Sequence, residues 1–343
     1  MTRSILWFVL LVASWSGACA HVAVNNAPTY QGPDTILNVS YDVSRELFAK
    51  VNAAFIAAWQ QDGGRKVEIR QAHGGTTAEA RAILGGLEAD VVTFNQVVDV
   101  QLLQDEGGLI QGAWRERLPH GSAPFYSLPV FLVRKGNPGN IRDWGDLVRA
   151  DTKLVLPDPR TSGNARYSYL AAYAHGLAHH DNDQAKTMAF VQALFGNVAA
   201  MPPGGRAATE AFVGQGIGDV LITFECEARE VMRAHVDQAF EIVMPRQSIL
   251  ADFPVCIVDR NVDRHGTRPL AEAYLRFLFG EQGQEIAAGF FLRVRDAAVS
   301  SRHQASFPPV DLVTVEQQFG GWERVQAEHF ASGRILEQVL GKR

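Results

Sequence analysis

The chain of 343 residues has few cysteines, no excess of positive charge and few long apolar stretches. Of its three cysteines only Cys226 and Cys256 lie beyond residue 20, which leaves open whether they pair or remain buried thiols. The formal net charge of −5 argues against nucleic acid as a partner. Beyond the N-terminus, no stretch approaches the ~20 apolar residues that span a bilayer.

Several sequence signatures of enzymes and metal sites are also missing. The chain has no Walker motif and no dinucleotide fingerprint. His73-Gly74-Gly75 is similar to an oxyanion segment of esterases, but the Gly-x-Ser-x-Gly that should accompany it is absent. His175 and His179 lie one helical turn apart without the Glu of a zinc-binding helix. We therefore predict no enzyme, no metal and no cofactor, with a hydrolase as a disfavoured alternative.

The first 20 residues have the features of a cleaved export signal. Arg3 supplies a positive start, and residues 5–15 form an apolar run too short to span a bilayer comfortably. Ala18-Cys19-Ala20 is a small-residue cleavage site, so the mature chain is predicted to begin at His21. The rival interpretation is a lipoprotein acylated on Cys19, which lacks the usual Leu before it.

The pattern after this segment predicts an α/β fold with two lobes. Hydrophobic residues make up 47% and charged residues 20% of the chain, as in well-packed globular proteins. Strand-like stretches at residues 35–41, 67–69 and 89–94 alternate with amphipathic helical patterns. This alternation indicates a doubly wound lobe, in which ligands bind beyond the carboxyl ends of the strands.

A second lobe repeats the pattern, with residues 219–225 as its central strand. Apolar runs at residues 127–134 and 249–258 are predicted to cross between the lobes. The predicted division assigns residues 35–126 and 251–343 to lobe I and 127–250 to lobe II. Helical patterns near the C-terminus, including residues 325–330, are expected to pack on lobe I.

Residues 158–166 form the stretch from which a function can be inferred. They join an apolar strand to a helical pattern, and Thr161 or Ser162 is the expected N-cap. The first N–H groups of a helix have no partner within the helix, so small residues there leave them open to an anion. Taken by itself, this stretch is better explained as an ordinary capped turn, because capped helices are common. Similar turns after Tyr41, Ala72 and Met201 would face the same cleft, and that combination favours an anion site.

The sequence resembles the periplasmic sulfate- and thiosulfate-binding proteins that deliver their anion to an ABC transporter. The family signature Asn-Pro-Lys-Ser/Thr-Ser-Gly-x-Ala-Arg stands at residues 158–166, departing at Asp158 and Arg160. His73-Gly74-Gly75 and residues 131–138 and 216–222 also match. The resemblance implies a type II periplasmic-binding-protein fold, with each lobe a doubly wound sheet and crossing hinge strands between them.

The resemblance also implies a site of uncharged donors around a desolvated dianion. The expected donors are main-chain N–H groups and two hydroxyls, and Arg45 and Arg166 are expected to support the turns. The implied ligand-binding residues are Asp42, Thr76, Ser162, Gly163, Asn164, Gly205 and Phe224. Since none of these groups titrates near neutral pH, affinity is expected to be nearly flat from pH 6 to 8.

Phe224 is the departure that bears on the ligand. Sulfate-specific relatives have Trp at this position, whereas members resembling the thiosulfate-binding branch have Phe, which carries no donor. The resemblance therefore favours thiosulfate, with sulfate also accepted; another oxyanion such as molybdate is the alternative. A site of donors only should reject phosphate, which retains a proton. The implied partners are the anion and a membrane permease, and the implied state is a periplasmic monomer.

Overall fold

The computed structural model describes residues 32–236 and 240–341. The predicted export signal and Cys19 lie outside the described residues. No helix in the described part is long and apolar enough to cross a membrane. The strands are β1 (Thr35–Tyr41), β2 (Glu68–Gly74), β3 (Val91–Thr93), β4 (Phe125–Ser127), β5 (Pro129–Arg134), β6 (Leu154–Val155), β7 (Val198–Ala200), β8 (Val220–Phe224), β9 (Phe240–Val243), β10 (Gln247–Ile249), β11 (Ala251–Phe253), β12 (Val255–Ile257), β13 (Arg293–Val294) and β14 (Asp311–Val313).

Helices follow most of these strands, as the alternating pattern predicts. The α-helices are α1 (Arg45–Gln61), α2 (Thr76–Leu84), α3 (Val97–Asp105), α4 (Pro119–Ser122), α5 (Gly163–His179), α6 (Gln184–Gly196), α7 (Gly205–Thr209), α8 (Glu225–Ala234), α9 (Asp259–His265), α10 (Arg268–Phe277), α11 (Glu281–Gly289), α12 (Ala297–Arg302), α13 (Val315–Phe319), α14 (Trp322–Val325) and α15 (Ile335–Leu340). Short 3-10 turns occupy Asp42–Ser44, Trp114–Glu116, Trp144–Val148 and Gln304–Ser306, and π-helical turns occupy Glu210–Gly214 and Gln326–Phe330.

Lobe I is built on a four-stranded sheet in the order β12-β3-β1-β2. Strands β1, β2 and β3 run parallel, with β12 antiparallel at the edge. The strand predicted at residues 67–69 is longer than expected, because its pairing with β1 continues to Tyr41 opposite Gly74. The carboxyl ends of the three parallel strands therefore place residues 41–42, 74–76 and 94–96 along one edge of the sheet.

Lobe II is built on a five-stranded sheet in the order β7-β6-β8-β5-β9. Strand β8 lies in the middle, which confirms the predicted central strand, and all five of its residues are buried. An apolar strand without alternation is typical of a sheet covered on both faces. Strands β6, β7 and β8 run parallel, so the turns that precede α5, α7 and α8 share one edge.

The chain crosses between the lobes along extended segments, as predicted. Strand β4 passes into β5 through Leu128, and β11 passes into β12 through Pro254. Strands β4 and β11 pair with each other, with β13 as the third member of a small antiparallel sheet. A third crossing follows α12, because β14 pairs with β10 beside lobe II.

The prediction that residues 325–330 pack on lobe I is wrong. The C-terminal segment lies against α5: Trp322 contacts Tyr167 edge to face at 5.3 Å between ring centroids. Tyr169 shares a 2.7 Å hydrogen bond with the His329 Nδ1 atom. Fourteen of the seventeen residues of the long helix α5 are buried, so it is covered on nearly all sides. The C-terminal segment provides this cover on the side away from the sheet.

Both cysteines within the described residues are free and buried, so the question of their pairing is answered. Cys226 lies in the first turn of α8 and Cys256 in β12. Burial raises the pKa of Cys256 to about 12 and that of Cys226 well above its ordinary value. These thiols therefore behave as small apolar side chains and not as reactive groups.

Candidate functional site

The N-terminus of α5 presents unpaired donors to the space between the lobes. Ser162 is the N-cap in an extended conformation, and its side chain makes no capping hydrogen bond. Its own N–H donates to the Asp158 carbonyl at 2.9 Å. The N–H groups of Gly163 and Asn164 follow at the first helical positions, where a helix supplies no acceptor. A buried hydroxyl and two amides thus point out of a 17-residue helix, where the dipole favours an anion.

The turn before α5 is held by the two residues that depart from the family signature. The Arg160 Nη2 atom pairs with Asp158 Oδ2 at 2.6 Å, and Arg160 Nε lies 2.9 Å from Oδ1. The carboxylate that Asp158 adds is therefore paired with the guanidinium of Arg160. Arg166 donates to the Pro159 carbonyl at 3.0 Å, so it closes the turn from the helix side and supports it as the sequence predicted.

Asp42 and Gly205 come from opposite lobes and lie together. Asp42 opens a 3-10 turn after β1, and its Oδ2 atom accepts from the main-chain N–H of Arg206 at 3.1 Å. Gly205 begins α7, one residue earlier. The Arg206 guanidinium is bound to Glu46, with Nη2 2.8 Å from Oε1, so this cation is already neutralised.

Thr76 begins α2, but its hydroxyl has a partner within the protein. It donates to Asp99 Oδ2 at 2.6 Å, which leaves its main-chain N–H as the donor that faces the cleft. Asp99 also accepts from Thr77 at 2.9 Å and pairs with Arg166 Nη1 at 3.4 Å. Because Arg166 belongs to lobe II, this nearly buried ion pair joins the two lobes directly behind the site.

Two glycines allow the lobes to approach closely. A Cβ atom on Gly75 would lie 2.6 Å from the carbonyl oxygen of Thr161 in the opposite lobe. A Cβ atom on Gly163 would overlap Asn95 Oδ1 and lie 2.7 Å from the Cβ of Gln96. Any larger residue at either position would separate the two sets of turns, so the described arrangement is a closed one.

Phe224 ends β8 and is fully buried. Its ring contacts Phe253 at 5.1 Å and Tyr167 at 6.0 Å between centroids. This wall of the site is therefore apolar and offers no side-chain donor.

Glu227 is a site residue that the sequence analysis missed. It is buried on the first turn of α8, where its Oε2 atom accepts from Asn164 Nδ2 at 2.8 Å and from the Thr223 hydroxyl. A Cβ atom on Gly205 would lie only 3.0 Å from this carboxyl oxygen. Burial, reinforced by the negative charge of Asp42, raises the pKa of Glu227 to about 8.

The structure brings the predicted residues to one region between the lobes. Asn95, Asp99 and Glu227 were missed, yet two of them left a signal in the sequence. Asp99 interrupts the apolar run of residues 97–100, and Glu227 lies three residues after the buried strand that ends at Phe224. Carboxyl groups next to apolar runs are costly unless paired or protonated, which marks them as candidates. Among the described residues no cluster fit for a metal ion occurs.

Comparison with known proteins connects this geometry to a family. A family model described as bacterial extracellular solute-binding protein matches residues 43–293. A thiosulfate-binding protein of Escherichia coli is 49% identical over 306 residues, covering 89% of this chain and 90% of the relative. A sulfate-binding protein of the same organism is 47% identical over 304 residues, covering 89% and 92%.

Solved structures agree with this comparison. The sulfate-binding protein SubI of Mycobacterium tuberculosis H37Rv is similar with a TM-score of 0.78 at 33% identity, over 86% of this chain and 99% of that protein. A periplasmic thiamin binding protein has a TM-score of 0.67 at 14% identity and shares the fold alone.

Glu227 should make the stability of the protein depend on pH. A carboxyl with a pKa of about 8 in the folded chain and about 4.3 when unfolded loses its proton on unfolding, so stability falls as pH rises between these values. Glu227→Gln removes this loss and should raise the free energy of unfolding at pH 8 by on the order of 3 kcal/mol.

Urea denaturation of both proteins at pH 5, 6.5 and 8 measures this difference. Glu68→Gln, which alters an exposed carboxylate beside Arg70, is the control and should change stability little. Parallel pH curves for wild type and Glu227→Gln would contradict the assignment.

Proposed function

This chain belongs to the sulfate- and thiosulfate-binding members of the bacterial extracellular solute-binding protein family, and we propose that it captures one of these anions between its lobes. The observation that carries the proposal is the N-terminus of α5, where the Ser162 hydroxyl and the Gly163 and Asn164 amides face the turns of lobe I. Donors at a helix N-terminus with little bulk around them fit a small anion.

The charges around the site support an anion bound by dipoles alone. The guanidinium of Arg166 is paired with Asp99, and that of Arg206 with Glu46. A dianion enclosed there must be stabilised by the amides of residues 42, 76, 163, 164 and 205 and by the Ser162 hydroxyl. Hydrogen bonds to a charged group are each worth about 1.5–3 kcal/mol, so several of them offset much of the lost hydration.

Thiosulfate is the ligand that we favour. Its terminal sulfur is larger and accepts weaker hydrogen bonds than oxygen, and the apolar wall formed by Phe224 supplies no donor there. A relative named for thiosulfate and one named for sulfate are similarly close to this chain, so the preference rests on Phe224. The close contacts at Gly75 and Gly163 further support a receptor that closes over its ligand.

The remaining parts of the proposal concern export, oligomeric state, the membrane partner and the movement of the lobes. The N-terminal segment would direct export and be cleaved before His21, and the protein would act as a monomer that presents its closed form to a membrane permease. Residues 35–126 and 251–314 would move as lobe I. Residues 127–250 would move as lobe II, together with the C-terminal helices that cover α5.

Calorimetric titration with sulfate, thiosulfate, molybdate and phosphate at pH 7 tests the function. We expect one site per chain, tightest for thiosulfate, with phosphate at least tenfold weaker because its proton lacks an acceptor. Ser162→Ala should weaken binding roughly 10- to 100-fold, since it deletes a hydrogen bond to a charged ligand. Ser300→Ala, on exposed α12, is the control. Tight molybdate binding without sulfate or thiosulfate binding would overturn the assignment.

Gly163→Ala should prevent full closure, because the added methyl group would overlap Asn95 across the cleft. We expect affinity to fall at least tenfold while the melting temperature of the ligand-free protein stays nearly unchanged. Gly196→Ala adds the same methyl group where no atom lies within 4 Å and should leave affinity intact. Equal affinities for the two variants would show that the lobes do not meet at Gly163.

Phe224→Trp tests the basis of the thiosulfate preference. An indole N–H at the end of β8 would supply the missing donor, so the ratio of sulfate to thiosulfate affinity should rise by about tenfold, or 1.4 kcal/mol. Phe224→Leu, which adds no donor, should not raise that ratio. A rise in both variants would attribute the preference to cavity size.

A further inference from the structure

Glu227 occupies an unusual position for a carboxyl group in a protein that binds anions. Its Oε2 atom accepts from Asn164 and Thr223, whereas Oε1 is buried and has no hydrogen-bond partner among the residues that the structure describes. A Cβ atom on Gly205 would lie 3.3 Å from this Oε1 atom. The unpartnered oxygen therefore lies beside the first amide of α7, which we place at the anion.

An ionised Glu227 would be unfavourable here for three reasons. It is buried, the carboxylate of Asp42 approaches from lobe I, and the proposed ligand is itself doubly negative. Among the described residues, the groups that hydrogen-bond its carboxyl oxygens are the Asn164 amide and the Thr223 hydroxyl, and neither carries a positive charge. A protonated carboxyl avoids all three penalties and gains one O–H donor on Oε1.

We propose that Glu227 holds a proton when the anion is bound and donates its Oε1 hydrogen toward that anion, so that capture depends on keeping this proton. The inference rests on the proposed function and adds a coupling between ligand and proton at the same site. By reciprocity, an anion that favours the protonated form must bind more weakly once that form is lost.

The geometry also provides a path by which the proton exchanges with solvent. Glu227 lines a cleft of about 460 Å³ that opens between the lobes beside Tyr41, Cys226 and Arg206. Opening of the lobes would widen this path. Loss of the proton would leave a carboxylate against the anion, and the repulsion would favour release.

Other titratable groups lie around Glu227 on each neighbouring element. Those with a shifted pKa do not change their charge just above pH 8, where Glu227 is expected to lose its proton. Burial lowers the pKa of His73 below its ordinary 6.5, so this group is neutral throughout that range. The pKa values of Tyr41 and Cys226 are raised well above 10.0 and 9.0, mainly by burial. The charged or titratable groups around the carboxyl and its cleft are Tyr41, Asp42, Glu46, His73, Arg206, Cys226, Glu230, Arg233 and His235.

Calorimetry of thiosulfate and sulfate binding from pH 6.5 to 9.5 tests the coupling. With a pKa of about 8 in the free protein, affinity should change little up to pH 7.5 and be about tenfold weaker at pH 9 than at pH 7. Titrations in two buffers of different ionisation enthalpy should show proton uptake near pH 8.5. Wild-type binding at pH 6.5 reports the proposed function by itself, so its absence there would count against the function and not against Glu227 alone.

Two variants separate Glu227 from its surroundings. Glu227→Gln keeps a donor but cannot ionise, so the affinity that it has at pH 6.5 should stay constant to pH 9.5, without proton uptake on binding. Glu230→Gln makes the same replacement one helical turn away, where Glu230 pairs with Arg233, and should keep the wild-type profile. A flat wild-type profile, or a decline shared by Glu227→Gln, would overturn the proposal, as would a flat profile in Glu230→Gln.

Discussion

The first amides of a helix need acceptors that the helix itself cannot provide, and this requirement organises the region between the two lobes. Helices α2, α5 and α7 all begin at the carboxyl edges of their sheets, with Gly75, Ser162 and Gly204 as N-caps that make no side-chain capping bond. The first amides of these helices therefore have no acceptor within the helix or from the N-cap side chain. The parallel strands bring the turns together, because their carboxyl ends share one edge in each sheet.

Two arginines beside the candidate site, Arg166 and Arg206, are each paired with a carboxylate. Arg166 lies close enough to support the α5 turn, yet its guanidinium is paired with Asp99 and shielded from the cleft. Asp99 in turn accepts hydrogen bonds from the hydroxyls of Thr76 and Thr77. Buried charges that neutralise each other behind a site leave its surface dipolar, and a dipolar surface distinguishes anions by their protons and shape more than by their charge.

Much of this arrangement could be predicted from the sequence. Strand β1, the central strand β8 and the N-cap at Ser162 follow from local apolar runs and small residues, which the sequence displays directly. The partner of the Thr76 hydroxyl could not be predicted, because Asp99 is 23 residues away and reaches it only through the packing of α3 on α2. The position of the C-terminal segment was equally hidden, since the sequence of α5 does not show which segment covers it.

The third crossing of the chain, from α12 in lobe I to β14 beside lobe II, restricts how the molecule can open. Two crossing strands side by side act as a hinge that permits bending and also torsion about their own direction. A third crossing segment, followed by the C-terminal helices that pack on α5, resists torsion and lateral displacement of one lobe relative to the other. The expected motion is thus a rotation about one axis. Each time the lobes close, this rotation returns the donor groups of both lobes to the same relative positions.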